Sequence, residues 1–298
     1  MVRIVSLIPS ATEIAFALGL EGDVVGVTFE CDFPPDPRVG RSVVVGGLDT
    51  HGLDPVAIDA LVRERLAAGD DLYVLDVDRF RDLAPDVVLT QDLCRVCALP
   101  SGRVDEAMTQ LGCSADVVTL DPHSLTDVFD TITAVGAATG TTARADDLVA
   151  GLRDRLAQLA DAVDGRHRPR VFVLEWPDPP FVAGHWVPEV VEAAGGEAVL
   201  ARPGERSVPT TWEAIAEVDP DVVVVSSCGF DVDGSAAHAT EVLDRLPARA
   251  EVWAIDANGL IVRPGPRLVD GAETLAAVLH GVGDVDPRRA RLVRGRGT

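Results

Sequence analysis

Apolar residues recur at helical spacing through the middle of the chain, between residues 145 and 163. Arginine and aspartate separate them, and this spacing is typical of an amphipathic helix of about five turns. On either side, β-branched runs alternate with helical patterns, which is typical of α/β units with parallel sheets. We therefore predict an α/β protein of two lobes with mainly parallel sheets, joined by one long interlobe helix, and a ligand cleft between the lobes.

The same pattern predicts four regions. They are an N-terminal α/β lobe over residues 1–123, an interlobe helical connection over 124–168, a C-terminal α/β lobe over 169–281 and a flexible tail over 282–298. Ser10, with Glu13 three residues later, has the form of a capping box at the start of the first helix. Further helices are predicted over residues 55–68, 102–111, 187–194, 211–218, 239–246 and 268–279.

Two short segments of the first half are echoed in the second half. APDVVLTQDLC and DPDVVVVSSC share a Pro-Asp-Val-Val core, and RIVSLIP near the start resembles RVFVLEWP after the central helix. Each half therefore repeats the same order of segments, which supports the prediction of two lobes.

The net charge of the chain limits the kinds of molecule that it can bind. The 298 residues carry a formal net charge of −22 and contain no lysine, whereas nucleic acids and anionic membranes require a cationic protein face. We expect a small-molecule ligand, a basic docking partner, no nucleic acid, no membrane insertion and a monomer.

The cellular location is predicted from the start of the chain and from the cysteines. No signal-peptide pattern precedes the first strand, and five cysteines fit a reducing compartment. The sequence as written predicts a cytoplasmic protein, or an extracytoplasmic one if a targeting segment has been removed.

Candidate ligand-binding residues follow the predicted strands, because ligands of open parallel sheets bind beyond the carboxyl ends of the strands. Trp176, Trp186 and Trp212 of the second lobe can pack on a flat, bulky ligand, or each can fill the interior of its own lobe. The other strand-end candidates are Pro9, Ser10, Glu30, Cys31, Asp32, Gln91, Asp92, Glu175, Ser226, Ser227 and Cys228.

The cysteines suggest a second hypothesis. Cys94 and Cys97 form a C-x-x-C motif, and Cys31 and Cys228 also follow predicted strands. Four thiolates can hold zinc or an iron–sulfur cluster, and C-x-x-C alone can exchange disulfides. The alternatives left open are a metal or iron–sulfur site, thiols that line the ligand cleft, and inert loop thiols.

The sequence contains no familiar catalytic motif. It has no G-x-S-x-G, Walker or G-x-G-x-x-G motif, and its six histidines do not have H-E-x-x-H spacing. We therefore predict a binding protein and not an enzyme.

Several segments resemble a known family in the same order along the chain. They are IVSLIPSATEIAFALGLEGDVVGVTFECDFPP, VFVLEWPDPPFVAGHWVPEVVEAAGGE, VPTTWEAIAEVDPDVVVV and VRPGPRLVDGAETLAAVLHG. They resemble the cobalamin-binding and siderophore-binding proteins of ABC importers, whose two lobes are joined by one long helix. The resemblance spans about residues 2–281 and is strongest to the cobalamin binders.

The resemblance implies a function and two docking residues. In that family, cleft residues of both lobes hold the ligand, and an acidic side chain on each lobe docks on the permease. Matched by motif, the docking acids are Glu213 and Asp54, and the cleft residues include Pro9, Ser10, Trp176 and Phe181. The implied ligand is cobalamin or a related corrinoid, and the implied partner is an ABC permease.

Overall fold

The structure is a computed structural model that describes residues 2–48, 50, 52–92, 102, 104, 108 and 114–296. The chain forms two compact units. Unit 1 comprises Met1–Pro122 and Asp127–Ala150, and unit 2 comprises His123–Thr126 and Gly151–Thr298. The predicted connection over residues 124–168 is thus divided between the two units.

Unit 1 holds, within its described residues, a six-stranded sheet in the order β4-β3-β2-β1-β5-β6. Strand β4 pairs antiparallel with β3, and the other pairs of these six strands are parallel. The strands are β1 (Ile4–Ser6), β2 (Val24–Thr28), β3 (Ser42–Gly47), β4 (Tyr73–Leu75), β5 (Val87–Thr90) and β6 (Asp116–Thr119). The helices are α1 (Pro9–Ala17), α2 (Pro55–Ala68), α3 (Val77–Asp82), all but the first two residues of α4 (Leu125–Ala138) and the first part of α5 (Thr142–Val163). Gly102, Val104 and Met108 are also helical, and the rest of the predicted helix 102–111 lies outside the described residues.

Unit 2 is built on a seven-stranded sheet in the order β12-β8-β7-β13-β14-β15, with β10 also paired to β7, and on a two-stranded ribbon of β9 and β11. Its strands are β7 (Arg170–Pro177), β8 (Pro180–Val182), β9 (Gly184–His185), β10 (Glu197–Ala198), β11 (Arg202–Pro203), β12 (Val208–Pro209), β13 (Val222–Val225), β14 (Glu251–Ile255) and β15 (Ala290–Arg294). Its helices are α6 (Val187–Ala193), α7 (Trp212–Val218), α8 (Val232–Glu241), a 3₁₀ turn (Leu243–Arg245), α9 (Ala257–Leu260) and α10 (Leu268–His280).

The sequence echo corresponds to matching strand pairs. In unit 1, β1 pairs in parallel with β5, and in unit 2, β7 pairs in parallel with β13. These are the four strands that carry the two echoed segments, so each unit places its echoed strands side by side. Both β5 and β13 are buried along their whole length, as expected for strands at the centre of a covered parallel sheet.

Helix α5 is the predicted long amphipathic helix. Ala145, Val149, Leu152 and Leu159 are buried at helical spacing. Near its start, Arg144 Nη1 donates to Leu18 O at the end of α1, over 2.7 Å. Farther along, the Arg155 guanidinium pairs with Asp270 and Glu273 of α10. The helix is therefore tied to unit 1 by one arginine and to unit 2 by another.

Three local predictions are wrong. The first is the capping box of Ser10 and Glu13. Helix α1 begins at Pro9, because proline favours the first helical position, and its N-cap is Ile8, which has no side-chain cap. Ser10 and Glu13 therefore lie inside the helix and do not form a capping box. The helix predicted over 239–246 runs instead from Val232 to Glu241, because Asp231 Oδ1 accepts from Gly234 N at 2.9 Å and starts it earlier.

The third correction concerns the predicted flexible tail over residues 282–298, which contains strand β15. This strand pairs antiparallel with β14. Its last residue, Arg294, donates to the carbonyl oxygens of Leu243 and Ala250, over 3.2 Å in each case. Arg291 and Arg296 form ion pairs with Asp233 and Asp221. Strand β15 and its flanking arginines are thus held on the sheet of unit 2, because Arg291, Arg294 and Arg296 find acceptors there.

Candidate functional site: the carboxyl edge of unit 2

In unit 1, the carboxyl ends of β1 and β2 are joined by a buried polar network. Thr12 Oγ1 on α1 donates to Ser6 Oγ at 2.8 Å and lies 3.0 Å from Cys31 Sγ. Ser6, Thr12 and Cys31 are all essentially buried. Cys31 therefore belongs to the interior of unit 1, where it links the segment after β2 to α1.

The other unit 1 candidates differ in exposure. Pro9 is half-buried and Ser10 is buried within α1, and both follow β1. Glu30 is half-buried and accepts a hydrogen bond from Tyr73 Oη at 3.1 Å, whereas Asp32 is exposed. After β5, Gln91 is buried and Asp92 is exposed, and Asp92 N donates to Asp121 Oδ1 at 2.5 Å. These residues all lie at the carboxyl ends of unit 1 strands, as predicted.

In unit 2, an aromatic cluster forms where β7 and β13 end. The ring of Trp176 lies 6.1 Å from the ring of Phe230 and 6.2 Å from that of His238. Phe230 and His238 form an edge-to-face pair at 4.5 Å. Both Trp176 and Phe230 are half-buried, so part of each residue stays exposed at this edge. We call Trp176, Phe230 and His238 the aromatic cluster.

The other tryptophan candidates and Phe181 fill the interior or flanks of unit 2. Trp186 is buried and its Nε1 donates to Ile261 O at 2.9 Å. Trp212 packs against the hydrophobic core, with the Arg245 guanidinium 4.3 Å from its ring centre. Phe181 is half-buried in β8 and pairs in register with Trp176. Of the three tryptophans, only Trp176 belongs to the aromatic cluster.

Sequence reasoning missed Phe230, His238 and Asp256. Asp256 follows β14 directly and caps α9 by accepting from Gly259 N at 3.3 Å. Burial raises the pKa of Asp256, opposed by that hydrogen bond and by Arg267 and Arg263. The strand-end rule would have selected Asp256, because it follows β14 directly. Phe230 and His238 carry no such signal, because one lies in a turn and the other inside a helix.

The four cysteines of the metal hypothesis do not all fall in the described part of the chain. Cys31 is buried in unit 1, whereas Cys228 is exposed in unit 2. Cys94 and Cys97 lie outside the described residues. Within the ranges that the structure describes, no three histidine, cysteine, aspartate or glutamate side chains are grouped so as to hold a metal ion.

Both predicted docking acids are exposed at helix starts. Asp54 caps α2, because its Oδ1 accepts from Ala57 N at 2.8 Å. Glu213 lies in the first turn of α7, whose cap is Thr211. A carboxylate at either place is favourable with the helix dipole. Their assignment as docking residues stays a prediction.

A separate cavity of about 400 Å³ lies at the opposite, amino edge of the unit 2 sheet, beside Val222 and Glu251 at the starts of β13 and β14. Arg166 lines it and donates to Ala162 O near the end of α5 and to His280 O at the end of α10. These bonds satisfy carbonyl groups at two helix C-termini. The lining of this cavity thus has a structural role.

His185 is held in an unusual environment beside the candidate site. Its φ of 50° is left-handed, and its ring stacks on Trp186 at 5.4 Å and lies 6.0 Å from that of His123. Burial, together with the charges of His123 and Arg206, lowers the pKa of His185 from 6.5 to about 4. His185 is therefore a neutral imidazole near neutral pH.

We expect His185→Asn to make the protein less sensitive to acid. Because the folded-state pKa lies below the unfolded value, only the unfolded chain binds this proton between about pH 6.5 and 4, and stability is lost as pH falls through that window. For a half-buried ring, the variant should lose about 1 kcal/mol less than wild type between pH 7 and 5. Asparagine tolerates the left-handed backbone.

Urea unfolding at several pH values measures this difference, with the exposed His167→Asn as control. Parallel stability curves for wild type and His185→Asn would contradict the prediction.

Comparison with known proteins identifies the family. A family model described as periplasmic binding protein matches residues 4–261. The chain belongs to this family. It is 29% identical over 290 residues to the cobalamin-binding protein of Halobacterium salinarum, covering 93% of this chain and 69% of that protein. It is 27% identical over 290 residues to the uncharacterized ABC transporter substrate-binding lipoprotein YvrC of Bacillus subtilis, covering 93% and 80%.

The fold is shared with solved structures of the same kind. A periplasmic heme binding protein from Pseudomonas aeruginosa matches with a TM-score of 0.71 and 21% identity, over 99% of both chains. The family resemblance and the predicted fold class are therefore confirmed. Within the described residues, no helix is both long enough and apolar enough to cross a membrane.

Proposed function

We propose that this protein is the substrate-binding component of an ABC importer and binds cobalamin or a related corrinoid. The observation that carries the proposal is the aromatic cluster at the carboxyl edge of the unit 2 sheet. Trp176 and Phe230 present two half-buried rings at the edge where parallel sheets bind ligands. Large aromatic surfaces of this kind pack well on a broad, flat ligand.

The relatives support the same ligand class. The Halobacterium salinarum protein is named for cobalamin binding, and the Bacillus subtilis protein is named as an ABC transporter substrate-binding lipoprotein. The strand-end residues of unit 1, including Ser10 and Gln91, stay predicted ligand-binding residues. The proposed partner is a permease with a basic docking surface, which suits the net charge of −22 and the exposed acids Asp54 and Glu213.

An absorbance titration of the purified protein with hydroxocobalamin tests the proposal. We expect a saturable spectral change at one ligand per chain, with a Kd of about 1 μM or lower. A parallel titration with hemin tests whether the protein binds a different flat metal chelate. Saturable binding of hemin together with no binding of hydroxocobalamin would overturn the corrinoid assignment, and binding of neither would overturn the proposed ligand class.

A further inference from the structure

Three buried polar atoms around the aromatic cluster have no hydrogen-bond partner among the described residues. They are Ser227 Oγ, His238 Nδ1 and Trp176 Nε1. Ser227 is fully buried and His238 is 6% exposed. Buried polar groups in folded proteins are nearly always hydrogen-bonded, so a group of unpaired ones requires an explanation.

These three groups belong to one region. Cys228 N donates to Glu175 O at 3.1 Å, which places the end of β13 beside the end of β7. Ser227 N donates to Ser235 Oγ at 3.3 Å, and Ser235 lies one turn before His238 on α8. The His238 ring in turn lies 6.2 Å from the Trp176 ring. The serine, the imidazole and the indole are therefore neighbours at the carboxyl edge.

Phe230 covers this region. Its ring contacts His238 and also packs on α8 at Gly234, where an added Cβ would come within 2.7 Å of the ring. It follows an exposed turn in which Gly229 has a φ of 88°. Phe230 itself is half-buried. Access of a ligand substituent to the three polar groups therefore requires rotation of this one side chain, which follows a turn with a glycine.

The three polar groups, Trp176 Nε1, Ser227 Oγ and His238 Nδ1, suit an uncharged ligand group. Trp176 Nε1 and Ser227 Oγ can each donate a hydrogen bond, and a neutral imidazole nitrogen can accept one. Burial lowers the pKa of His238, and the charged group that acts on it is the carboxylate of Glu241. A buried carboxylate needs a cationic partner, and the carboxylate of Glu241 has the wrong sign for that.

We propose that Trp176, Ser227 and His238 form a subsite for a peripheral carboxamide of the corrinoid. The amide carbonyl accepts from the indole N–H and the serine hydroxyl, and the amide NH₂ donates to His238 Nδ1. This inference rests on the proposed function and deepens it. It makes the site selective for amide-bearing chelates over those whose substituents are carboxylates.

The test compares cobalamin with its separated monocarboxylic acid derivatives, in which one peripheral amide has been hydrolysed. By isothermal titration at pH 7.5, at least one derivative should bind wild type about tenfold more weakly than cobalamin. Ser227→Ala and His238→Phe should each weaken cobalamin binding by about tenfold and reduce the discrimination against that derivative to less than about twofold.

Thr240→Ala is the control, because it removes an exposed hydroxyl from α8 that already donates to Ala236 O, over 2.8 Å. It should retain the discrimination. Circular dichroism checks that each variant folds, and the comparison of ligands on wild type needs no variant. Cobalamin binding without discrimination, or discrimination that survives in both pocket variants, would overturn this inference alone. A wild-type protein that binds no cobalamin would overturn the proposed function with it.

Discussion

Replacing Gly271 with alanine should lower the free energy of unfolding by about 3 kcal/mol. Gly271 lies on α10, where an added Cβ would be 1.9 Å from Leu260 O and 2.8 Å from Leu260 C. Both are backbone atoms of α9, so no side-chain rotation can relieve the overlap. The two helices must separate, and α9 carries the Asp256 cap at the carboxyl edge.

Gly151→Ala is the control, because the same glycine-to-alanine change should there stabilise the protein. Gly151 is exposed within α5, and nothing lies within 4 Å of an added Cβ. Alanine there should raise the free energy of unfolding by about 0.5–1 kcal/mol, because glycine is the poorer helix former. Urea titrations followed by circular dichroism measure both variants. A Gly271→Ala protein with the midpoint of wild type would show that α9 and α10 are not packed as closely as the structure has them.

Local signals explain which elements sequence reasoning could define. Helix α2 has the predicted bounds because its ends are specified by neighbours in the chain. Asp54 caps it, Pro55 takes the first helical position, and Gly69 ends it with a φ of 79°. Helix α8 was misplaced because its first turns, VDGSAAH, contain few apolar residues. Strand β15 was missed because its stability comes from pairing with β14, which is distant in sequence.

The residues of the candidate site also fall into two groups, those that the sequence could select and those that it could not. Trp176 and Ser227 could be selected because each ends or follows a predicted strand, and the topology of a parallel sheet brings strand ends together. Phe230 and His238 could not, because their place depends on how α8 packs beside β13. The roles of Trp186 and Trp212 were left open by the sequence, and only the contacts of each indole with the interior of unit 2 distinguish them from Trp176.

Trp176→Ala should weaken hydroxocobalamin binding by about 30- to 100-fold, or about 2–2.7 kcal/mol. Trp176 contributes the largest ring of the aromatic cluster and is half-buried at the edge of the sheet. Its removal takes away both a broad apolar contact with the ligand and the support of the Phe230 ring. The loss should exceed that from any one of the polar subsite variants, because it removes packing area as well as a hydrogen-bond donor.

Trp253→Ala is the control for this variant, since Trp253 is also a half-buried indole of the same sheet. It lies in the middle of β14, away from the carboxyl edge, and its Nε1 donates to Glu251 Oε1 at 2.7 Å. Titration of both folded variants should therefore show an unchanged Kd for Trp253→Ala and a much higher one for Trp176→Ala. If the two variants bind hydroxocobalamin equally well, the ligand does not rest on the aromatic cluster, and the unit 1 strand ends become the residues to vary next.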